Sequence, residues 1–599
     1  MGHPFRKSGP VFSISLFIIG ITALVMLNTL LKDGVPAEVS SKIRVLPACG
    51  HISGEDGAPA AEYQKKVFWS GNIFFLSVIV FAVLLFVFSS KPKADLPDTA
   101  LASLIYCAGA LAAVSSVVFI IFNLKSEYTS HFLSWTVSLV RGYPLYYGGG
   151  CGPFIYRIYP PLAPLVYLPA AAFAAPVTAK LAGSAISSLF YFLPVALLFL
   201  HESREKGKRG ILGFYGLAFF ALYTALSAPL VISAYRVDAD GPMLGLSAAA
   251  CLMLYMRKDG EEGKGLIIAS SIFAVLAIWT KQTALPIVAA LALYLLVSDG
   301  IRALGRFFFG FIISGACISA FFIWLAGFKN LALNIILIPS RHPLAGGSLL
   351  FDSPGSHLIF LAMNFVFPLM LLGALCGILA KKAKSPFRPA PFFRENRWLI
   401  FALAGICMAP MSFINVRKIG SSFNVYSYGI YFIVLSLALL LTRLLNGRPS
   451  LGNIHGGRAV KKVCFIFLAV LVVAVTPKLW RLYKTGEYLR SDKEKTAYEF
   501  MLEHPGEFYF VHFPLACILA DGKLYHTLSG VRERDWANME ISRECIHAHM
   551  PPRARYVAFS KNPHQVGESF MNEYLPGFPE VVEVKGLEGW YIYGRRPGR

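Results

Sequence analysis

The chain has 599 residues, is 56% hydrophobic and has a mean hydropathy of +0.57, too apolar for a soluble protein, in which apolar usage is about 45 to 50%. Its net charge of +22 would indicate nucleic-acid binding in a soluble protein, but Lys and Arg here form short clusters between apolar runs, as membrane topology requires. The ten cysteines show no spacing typical of a zinc or redox site. We therefore predict a multi-pass α-helical membrane protein with no nucleic-acid partner.

Apolar runs of roughly 20 residues, or fewer inside a helix bundle, are long enough to cross a bilayer. The first run, 11–31, follows HPFRK and is interpreted as a retained signal anchor, because it is long and lacks a clear small-x-small cleavage site. The run 161–176 contains four prolines and is predicted to be an external juxtamembrane helix at the interface. The thirteen predicted transmembrane helices are 11–31, 68–89, 103–124, 181–200, 210–230, 242–256, 264–280, 284–297, 307–327, 357–380, 398–414, 426–442 and 462–478.

Basic residues are concentrated in alternate connections between these runs. The positive-inside rule places such connections in the cytoplasm, together with the N-terminus. They are 91–93, 201–210, 257–265, 298–306, 381–397 and 443–462. The remaining connections are then external, as is everything after about residue 478. The sequence predicts a protein of the cytoplasmic (inner) membrane whose C-terminal part lies outside.

The chain is predicted to divide into three segments. Residues 1–99 contain two extra N-terminal helices and an external loop, 100–478 form the main membrane domain, and 479–599 are polar enough for a small external soluble domain. The last segment alternates helical patterns with strand-like runs, so we expect an α/β fold there. The helical pattern covers 491–504, and the strand-like runs are 507–513, 554–560 and 581–594.

Four cysteines in the external segments would lie in an oxidising compartment. Cys517 and Cys545 of the soluble segment are one candidate disulfide, and Cys49 and Cys151 are a second. Free thiols are the alternative in each case.

The stretch 125–164 is long, aromatic and sparsely charged, yet it cannot itself span a bilayer. It opens with one carboxylate, Glu127, and continues through an amphipathic stretch to a double proline that prevents a helix from starting before it. Aromatic rings at a membrane surface, together with one acid near the lipid boundary, indicate a site for a lipid-borne substrate. The candidate acceptor or lipid contacts in this loop are Tyr146, Tyr159, Pro160 and Pro161.

Two further acids occur in RVDAD, on a tight connection between apolar runs. A buried carboxylate near a cation can have the pKa that general-base transfer to an alcohol requires. Asp238 and Asp240 are therefore candidate catalytic groups beside Arg236. The alternative interpretation is a solvated turn whose acids are balanced by Arg236.

Two other external segments contain lysines next to turn residues. WTKQTALP contains Lys281 and Gln282, and RKIGSSFN contains Lys418 and Asn424. A cation beside turn amides can bind phosphate, with the lysine as a point charge and the backbone as donor. A single lysine at a helix end is commonplace, but two on the side where the acids lie favour a phosphate site.

These segments together resemble the GT-C superfamily of integral-membrane glycosyltransferases, and in particular its bacterial mannosyltransferase-like branch, which is related to protein mannosyltransferases and aminoarabinose transferases. The resemblance covers most of residues 100–440. Two features depart from it, because the first two runs precede the usual first helix and the first-loop acid is Glu127 where many members have aspartate. The segments that carry the resemblance are LVRGYPLYYGG after Glu127, then YPPLAPLVYLPA, RVDADGPMLGLSAAACLML, WTKQTALPIVAALALYLL and KIGSSFNVY.

The resemblance implies an inverting transferase that takes a sugar from a polyprenyl-phosphate carrier to a lipid, glycan or protein hydroxyl. It implies catalytic roles for Glu127 and Asp238, with Asp240 as a substitute. The cations Arg236, Lys281 and Lys418, with Gln282 and Asn424, would bind the donor phosphate. No cofactor is required by the sequence, although a divalent metal that bridges acid and phosphate is compatible with the family. The alternatives are a lipid-linked sugar flippase or other transporter, and a non-catalytic envelope assembly component.

Overall fold

The computed structural model describes ten continuous ranges and some isolated residues between 361 and 373. The predicted spans 11–31 and 68–89 and most of 357–380 lie outside the described residues, as do nearly all of segment 1–99 and the Cys49–Cys151 couple. The continuous ranges are 98–149, 152–155, 157–204, 211–257, 261–344, 388–418, 422–446, 457–484, 492–560 and 577–595.

The described part is mostly helical, and a small sheet lies near its C-terminal end. The α-helices are α1 (Asp98–Phe122), α2 (Glu127–Val140), α3 (Leu162–Leu165), α4 (Pro176–Arg204), α5 (Tyr215–Leu226), α6 (Ala228–Tyr235), α7 (Asp240–Met256), α8 (Glu261–Thr280), α9 (Pro286–Asp299), α10 (Ile301–Ala326), α11 (Phe328–Ala332), α12 (Ile338–Arg341), α13 (Pro389–Glu395), α14 (Leu399–Asn415), α15 (Ser427–Leu445), α16 (Gly457–Lys484), α17 (Lys493–Glu503), α18 (Pro514–Asp521), α19 (Leu528–Trp536) and α20 (Arg543–Ala548). The strands are β1 (Phe508–Phe510), β2 (Tyr556–Phe559), β3 (Glu580–Val582) and β4 (Tyr591–Gly594).

Seven helical segments of the described part are long and apolar enough to cross a membrane, or up to nine if each of two bent pairs is one span. The bent pairs are α5 with α6 and α13 with α14, each bent by 103°. Apart from 210–230, every predicted span within the described residues coincides with a helix. The total of thirteen stays a prediction. The protein is a polytopic membrane protein. The seven segments are Ala100–Phe122, Pro176–Ser203, Gly263–Thr280, Gln282–Asp299, Ile301–Ala326, Phe423–Leu445 and Val460–Leu479.

The predicted span 210–230 is broken at Ser227. This residue has an extended backbone, and the next helix begins one residue later at Ala228, with Pro229 in its first turn. The ammonium group of Lys478 donates hydrogen bonds to the carbonyl oxygens of Ala225 and Leu226, at 2.8 and 3.2 Å. These bonds satisfy two of the carbonyls that a helix end leaves without partners, so the break is stabilised inside the bundle.

The predicted juxtamembrane helix 161–176 is not one continuous helix. It consists of the single turn α3 and a 3₁₀ turn, Leu168–Ala172, because its prolines remove amide donors within the run. The longer helix of this region is α2, which carries the amphipathic stretch. Residues Thr129 to Ser138 of α2 are all buried, so both of its faces are covered.

The C-terminal segment contains a four-stranded sheet of order β1-β2-β4-β3, which confirms a small C-terminal domain with a sheet. That this domain is soluble stays a prediction. Strands β1 and β2 are parallel, whereas β4 is antiparallel to both of its neighbours. The predicted Cys517–Cys545 disulfide is wrong: Cys517 is a free thiol and Cys545 is disulfide-bonded. Cys517 lies in α18 and its sulfur contacts the carbonyl oxygen of Phe510 at 3.6 Å, so it serves as a packed core residue.

Helix α18 of this C-terminal domain packs against α2. Leu515 and Ile518 of α18 are fully buried in one apolar cluster with Phe132, Leu133 and Trp135 of α2. Burial of such side chains stabilises by about 1.5–3 kcal/mol each. The C-terminal domain therefore covers α2, the helix that follows α1.

Glycines allow α7 to approach its neighbours closely. A Cβ atom at Gly245 would collide with the carbonyl oxygen of Phe190 in α4, and one at Gly241 would collide with Ser187 and with the Ser233 carbonyl oxygen. Small residues at such helix contacts permit close backbone packing in membranes. This packing places the first turn of α7, with its acid, inside the bundle.

Candidate active site

Three chain segments meet around the carboxylate of Asp240. Asp240 is in the first turn of α7, Lys281 directly follows α8, and Asn424 is in the 3₁₀ turn before α15. The ammonium group of Lys281 lies 2.5 Å from Oδ1 of Asp240, and the Asn424 amide donates to Oδ2. Asp240 is 0% and Lys281 is 5% exposed. Because two ions buried together must be paired, these residues form a fixed ionic centre.

Asp238 lies in the turn between α6 and α7, next to this centre. Its Oδ1 accepts a hydrogen bond from the backbone amide of Asp240 at 2.8 Å. Its Oδ2 accepts one from Nε of Arg236, also at 2.8 Å, and a second guanidinium nitrogen of Arg236 is equally close. Asp238 thus shapes the start of α7, as an Asx turn does, and orients Arg236.

Aromatic rings surround the two cations. The guanidinium of Arg236 lies 4.8 Å from the ring centroid of Tyr128. The ammonium of Lys281 lies 5.0 Å from the centroid of Tyr159 and 5.3 Å from that of Tyr428. Such contacts stabilise a cation out of water by up to about 2 kcal/mol, so both cations remain charged at low solvent exposure.

The loop that follows α2 reaches this centre at Tyr159. The Tyr146 hydroxyl donates to the carbonyl oxygen of Tyr159 at 2.6 Å, and the following residues Pro160 and Pro161 are buried. The amide of Gln282 donates to the carbonyl oxygens of Ile158 and Ile335, at 3.1 and 2.7 Å. The predicted loop residues are therefore brought to the cluster, and Gln282 fixes the loop backbone next to Lys281.

Lys418 makes its contacts elsewhere. Its ammonium group donates to the carbonyl oxygen of Pro339 at 3.2 Å, and its backbone forms a bridge with Leu344. Both partners belong to the segment after α10. Of the two lysines predicted for phosphate, the structure brings Lys281 to the acids and Lys418 to the segment after α10.

Glu127 begins α2 and is half-buried. Its Oε1 accepts a hydrogen bond from the hydroxyl of Ser560 in the C-terminal domain at 2.9 Å. The next residue, Tyr128, contacts Arg236, so the N-terminus of α2 adjoins the Arg236–Asp238 pair. Sequence reasoning missed Ser560, Tyr128 and Tyr428. Tyr428 could have been found, since it lies two residues after the end of the KIGSSFNVY segment.

Burial sets the ionisation of this centre. It raises the pKa of Asp238 from 3.8 to about 6, the Asp240 charge adds to the rise, and Arg236 and Lys281 oppose it. Burial alone would lower the pKa of Lys281, but the carboxylate of Asp240 keeps that pKa above its usual value. At neutral pH Asp238, Arg236 and Lys281 are therefore charged.

The two buried acids are bound to nitrogen donors. In the described residues each of the four carboxylate oxygens of Asp238 and Asp240 accepts from an amide, ammonium or guanidinium group. No group of three or more His, Cys, Asp or Glu that could bind a metal ion occurs in the described part of the chain. Asp238 and Asp240 as placed thus orient cations rather than form a metal-ligand pair. A metal that bridges acid and phosphate stays a prediction.

No protein-family model and no curated protein sequence matches this chain. Among solved structures, the chain is similar to ArnT from Cupriavidus metallidurans bound to undecaprenyl phosphate, with 12% identity, 81% of this chain and 97% of that chain covered, and a TM-score of 0.49. The apo state of that ArnT gives the same identity and coverage with a TM-score of 0.46. The archaeal oligosaccharyltransferase AglB from Archaeoglobus fulgidus, in complex with an inhibitory peptide and a dolichol-phosphate, gives 10% identity, 76% and 69% coverage, and a TM-score of 0.30.

Proposed function

We propose that the protein is a GT-C-type glycosyltransferase that transfers a sugar from a polyprenyl-phosphate carrier to a hydroxyl acceptor, with inversion. The main support is the buried centre in which Asp238, Asp240, Arg236 and Lys281 meet at helix ends, surrounded by aromatic rings. Such a concentration of buried charge in a membrane protein is costly and typical of a functional site. The sequence resemblance to GT-C enzymes agrees with this assignment.

The donor phosphate is proposed to bind at Arg236 and Lys281. Both cations are oriented by a carboxylate and lie in a site of low exposure. Preorganised cations contribute most where charge grows in the transition state, and here the leaving phosphate gains that charge. Asn424 orients Asp240 and so acts on Lys281 indirectly.

Glu127 is proposed to be the general base. Asp238 is the other candidate, but both of its oxygens are bound to nitrogen donors and it is 3% exposed, whereas Glu127 is only half-buried. The acceptor hydroxyl transfers its proton to the Glu127 carboxylate, and its oxygen forms a bond to the anomeric carbon. The bond from that carbon to the phosphate oxygen breaks, and the carrier phosphate leaves with the electron pair.

The proposal also includes the side of the membrane on which the site lies. We place the site on the outer face of the cytoplasmic membrane, with the N-terminus inside, the membrane domain over 100–478 and the domain 479–599 outside. A lipid carrier would enter between the apolar helices, and the acceptor would be a lipid, glycan or protein hydroxyl at the external loop.

Sugar transfer by the purified protein in lipid nanodiscs tests this function. The assay supplies radiolabelled polyprenyl-phosphate monosaccharides and a cell-envelope extract as acceptor, with wild type beside Asp238→Asn. The variant keeps the oxygen that accepts the Asp240 amide and loses the charge that orients Arg236. Labelled product and free carrier phosphate from wild type, at least tenfold reduced in Asp238→Asn, are expected. Binding of the carrier with no turnover of any donor would contradict the enzyme and favour the transporter or assembly alternatives.

Transfer is also expected to fall at acid pH, because protonated Asp238, whose pKa is about 6, no longer pairs with Arg236. Below that pH the turnover number should fall about tenfold per pH unit. The effect on stability has the opposite sign. Because the pKa of Asp238 is raised in the folded state, its contribution to the free energy of unfolding is complete below its ordinary pKa of 3.8. That contribution is lost as pH rises through about 6. Rates and melting temperatures measured across this range separate the two effects. A rate that stays constant below pH 6 would contradict this role of Asp238.

A further inference from the structure

The C-terminal domain contacts the proposed base directly. The hydroxyl of Ser560 lies 2.9 Å from Oε1 of Glu127 and 3.0 Å from Nδ1 of His512. Ser560 is 3% and His512 is 5% exposed. The hydroxyl donates to the Glu127 carboxylate and lies beside the His512 imidazole, and both the hydroxyl and the imidazole are away from bulk water. Resting on the function proposed above, we propose that Ser560, supported by His512, positions Glu127, so that the C-terminal domain completes the active site.

The sheet explains why these two side chains lie together. Strands β1 and β2 are parallel and pair Phe510 with Ala558. Two residues further along the same register, His512 and Ser560 lie side by side where both strands have ended. The amide of Ser560 also lies 3.3 Å from Nδ1 of His512. Since parallel strands end at the same edge of a sheet, the fold presents both groups to Glu127 at that edge.

A second set of contacts fixes this edge against α2. Glu494, in the first turn of α17, is paired with Lys180 of α4 and accepts a hydrogen bond from the Ser130 hydroxyl at 2.5 Å. The Ser130 hydroxyl in turn accepts from the amide of Leu515 at 3.2 Å. Ser130 lies three residues, nearly one full helical turn, after Glu127, so the domain binds α2 at two neighbouring points. The helix that carries the general base is therefore held against the domain close to that residue.

The α17 helix also contacts Ser560 itself. The ammonium group of Lys493 donates to the carbonyl oxygen of Ser560 at 2.7 Å, and the side chain of Asp492 accepts from the amides at the helix start. The backbone that carries Ser560 is therefore fixed by the same helix that pairs with Lys180. Accurate placement of a reacting group matters, because a displacement of 1 Å can cost roughly 10²-fold in rate.

Hydrogen bonding from Ser560 has a chemical consequence besides placement. A hydroxyl that donates to a carboxylate favours its ionised form, which is the form that accepts a proton from the acceptor. Removal of the hydroxyl should leave the Glu127 side chain less firmly positioned. It should also raise the pH above which the Glu127 carboxylate is ionised and can accept a proton. The second effect separates a positioning residue from one that only supports the fold.

The test measures turnover number, KM for the donor and the pH profile of Ser560→Ala in nanodiscs. We expect a turnover number reduced roughly ten- to hundredfold, an unchanged KM, and a shift to higher pH of the part of the acid limb that Glu127 sets, separate from the part that Asp238 sets. His512→Ala should have the same effect in smaller degree. In the Glu127→Gln background Ser560→Ala should cause no further loss, because positioning acts through the carboxylate.

Ser542→Ala is the matched control. Ser542 caps α20 in the same domain by accepting from the Cys545 amide at 3.2 Å, and the described contacts of its side chain do not include Glu127. It should leave rate and pH profile unchanged. Wild-type rate and pH profile in Ser560→Ala, while Glu127→Gln is inactive, would overturn the positioning role and leave the proposed function standing. Absence of transfer by the wild type would overturn both.

Discussion

Glu127→Gln is expected to reduce the turnover number for sugar transfer by roughly 10²- to 10⁴-fold, the range that a positioned general base contributes. Glutamine has the same shape and its amide oxygen can still accept the hydrogen bond from Ser560, so the domain contact should survive. It cannot take up the acceptor's proton. Donor KM should change little, because the donor phosphate is proposed to bind at Arg236 and Lys281. Initial rates in nanodiscs over a range of donor concentrations measure both quantities.

Glu499→Gln is the control for this substitution. Glu499 is on α17, its side chain is 58% exposed, and it pairs only loosely with Lys495 at 3.6 Å. Exposed pairs of this kind contribute little, so transfer and melting temperature should match the wild type. Near-normal transfer by Glu127→Gln would exclude Glu127 as the base and leave Asp238 as the candidate.

Lys281→Met is expected to abolish transfer and to destabilise the protein by about 3–5 kcal/mol, since it leaves the Asp240 carboxylate buried without its cation. Methionine fills a similar volume and keeps the apolar part of the side chain. The free energy of unfolding is measured by thermal or denaturant unfolding in nanodiscs, and carrier-phosphate affinity by direct binding. Affinity should fall as well, because a cation of the phosphate site is lost.

The double variant Asp240→Asn with Lys281→Met separates the two consequences. Removing both charges together should recover most of the stability, since no buried ion is left unpaired, while transfer and phosphate binding stay lost. If the double variant transfers sugar at the wild-type rate, Lys281 does not act on the phosphate. If Lys281→Met alone is as stable as the wild type, the pair is not buried in the membrane-embedded protein.

Much of the helical framework could be predicted from the sequence, because apolar runs and their basic connections follow directly from the bilayer. The RVDAD, WTKQT and SSFN segments were also identified, and the structure brings Asp238, Asp240, Lys281 and Asn424 together. Charged residues at the ends of neighbouring transmembrane helices avoid the lipid, so they tend to contact one another. The hydrophobic periodicity could not predict which lysine would pair with which acid.

Features that depend on tertiary contacts were not predictable. The break at Ser227 looks like part of one apolar run in the sequence, and its stability comes from Lys478, 252 residues away from Leu226. The amphipathic pattern of α2 indicated a helix at the membrane surface, yet α18 buries its outer face. The contact between Glu127 and Ser560 joins residues 433 positions apart, and no local pattern marks either partner for the other.

The cover that α18 provides to α2 has a consequence for biosynthesis. The ribosome makes Phe132 and Trp135 long before it reaches Leu515 and Ile518, which bury them. During that interval the apolar side of α2 lacks its final packing partner, and intermediates of this kind are prone to aggregate. The segment that contains α2 must therefore stay in a provisional state until translation is nearly finished, and a nascent chain that stops before α18 would never leave that state.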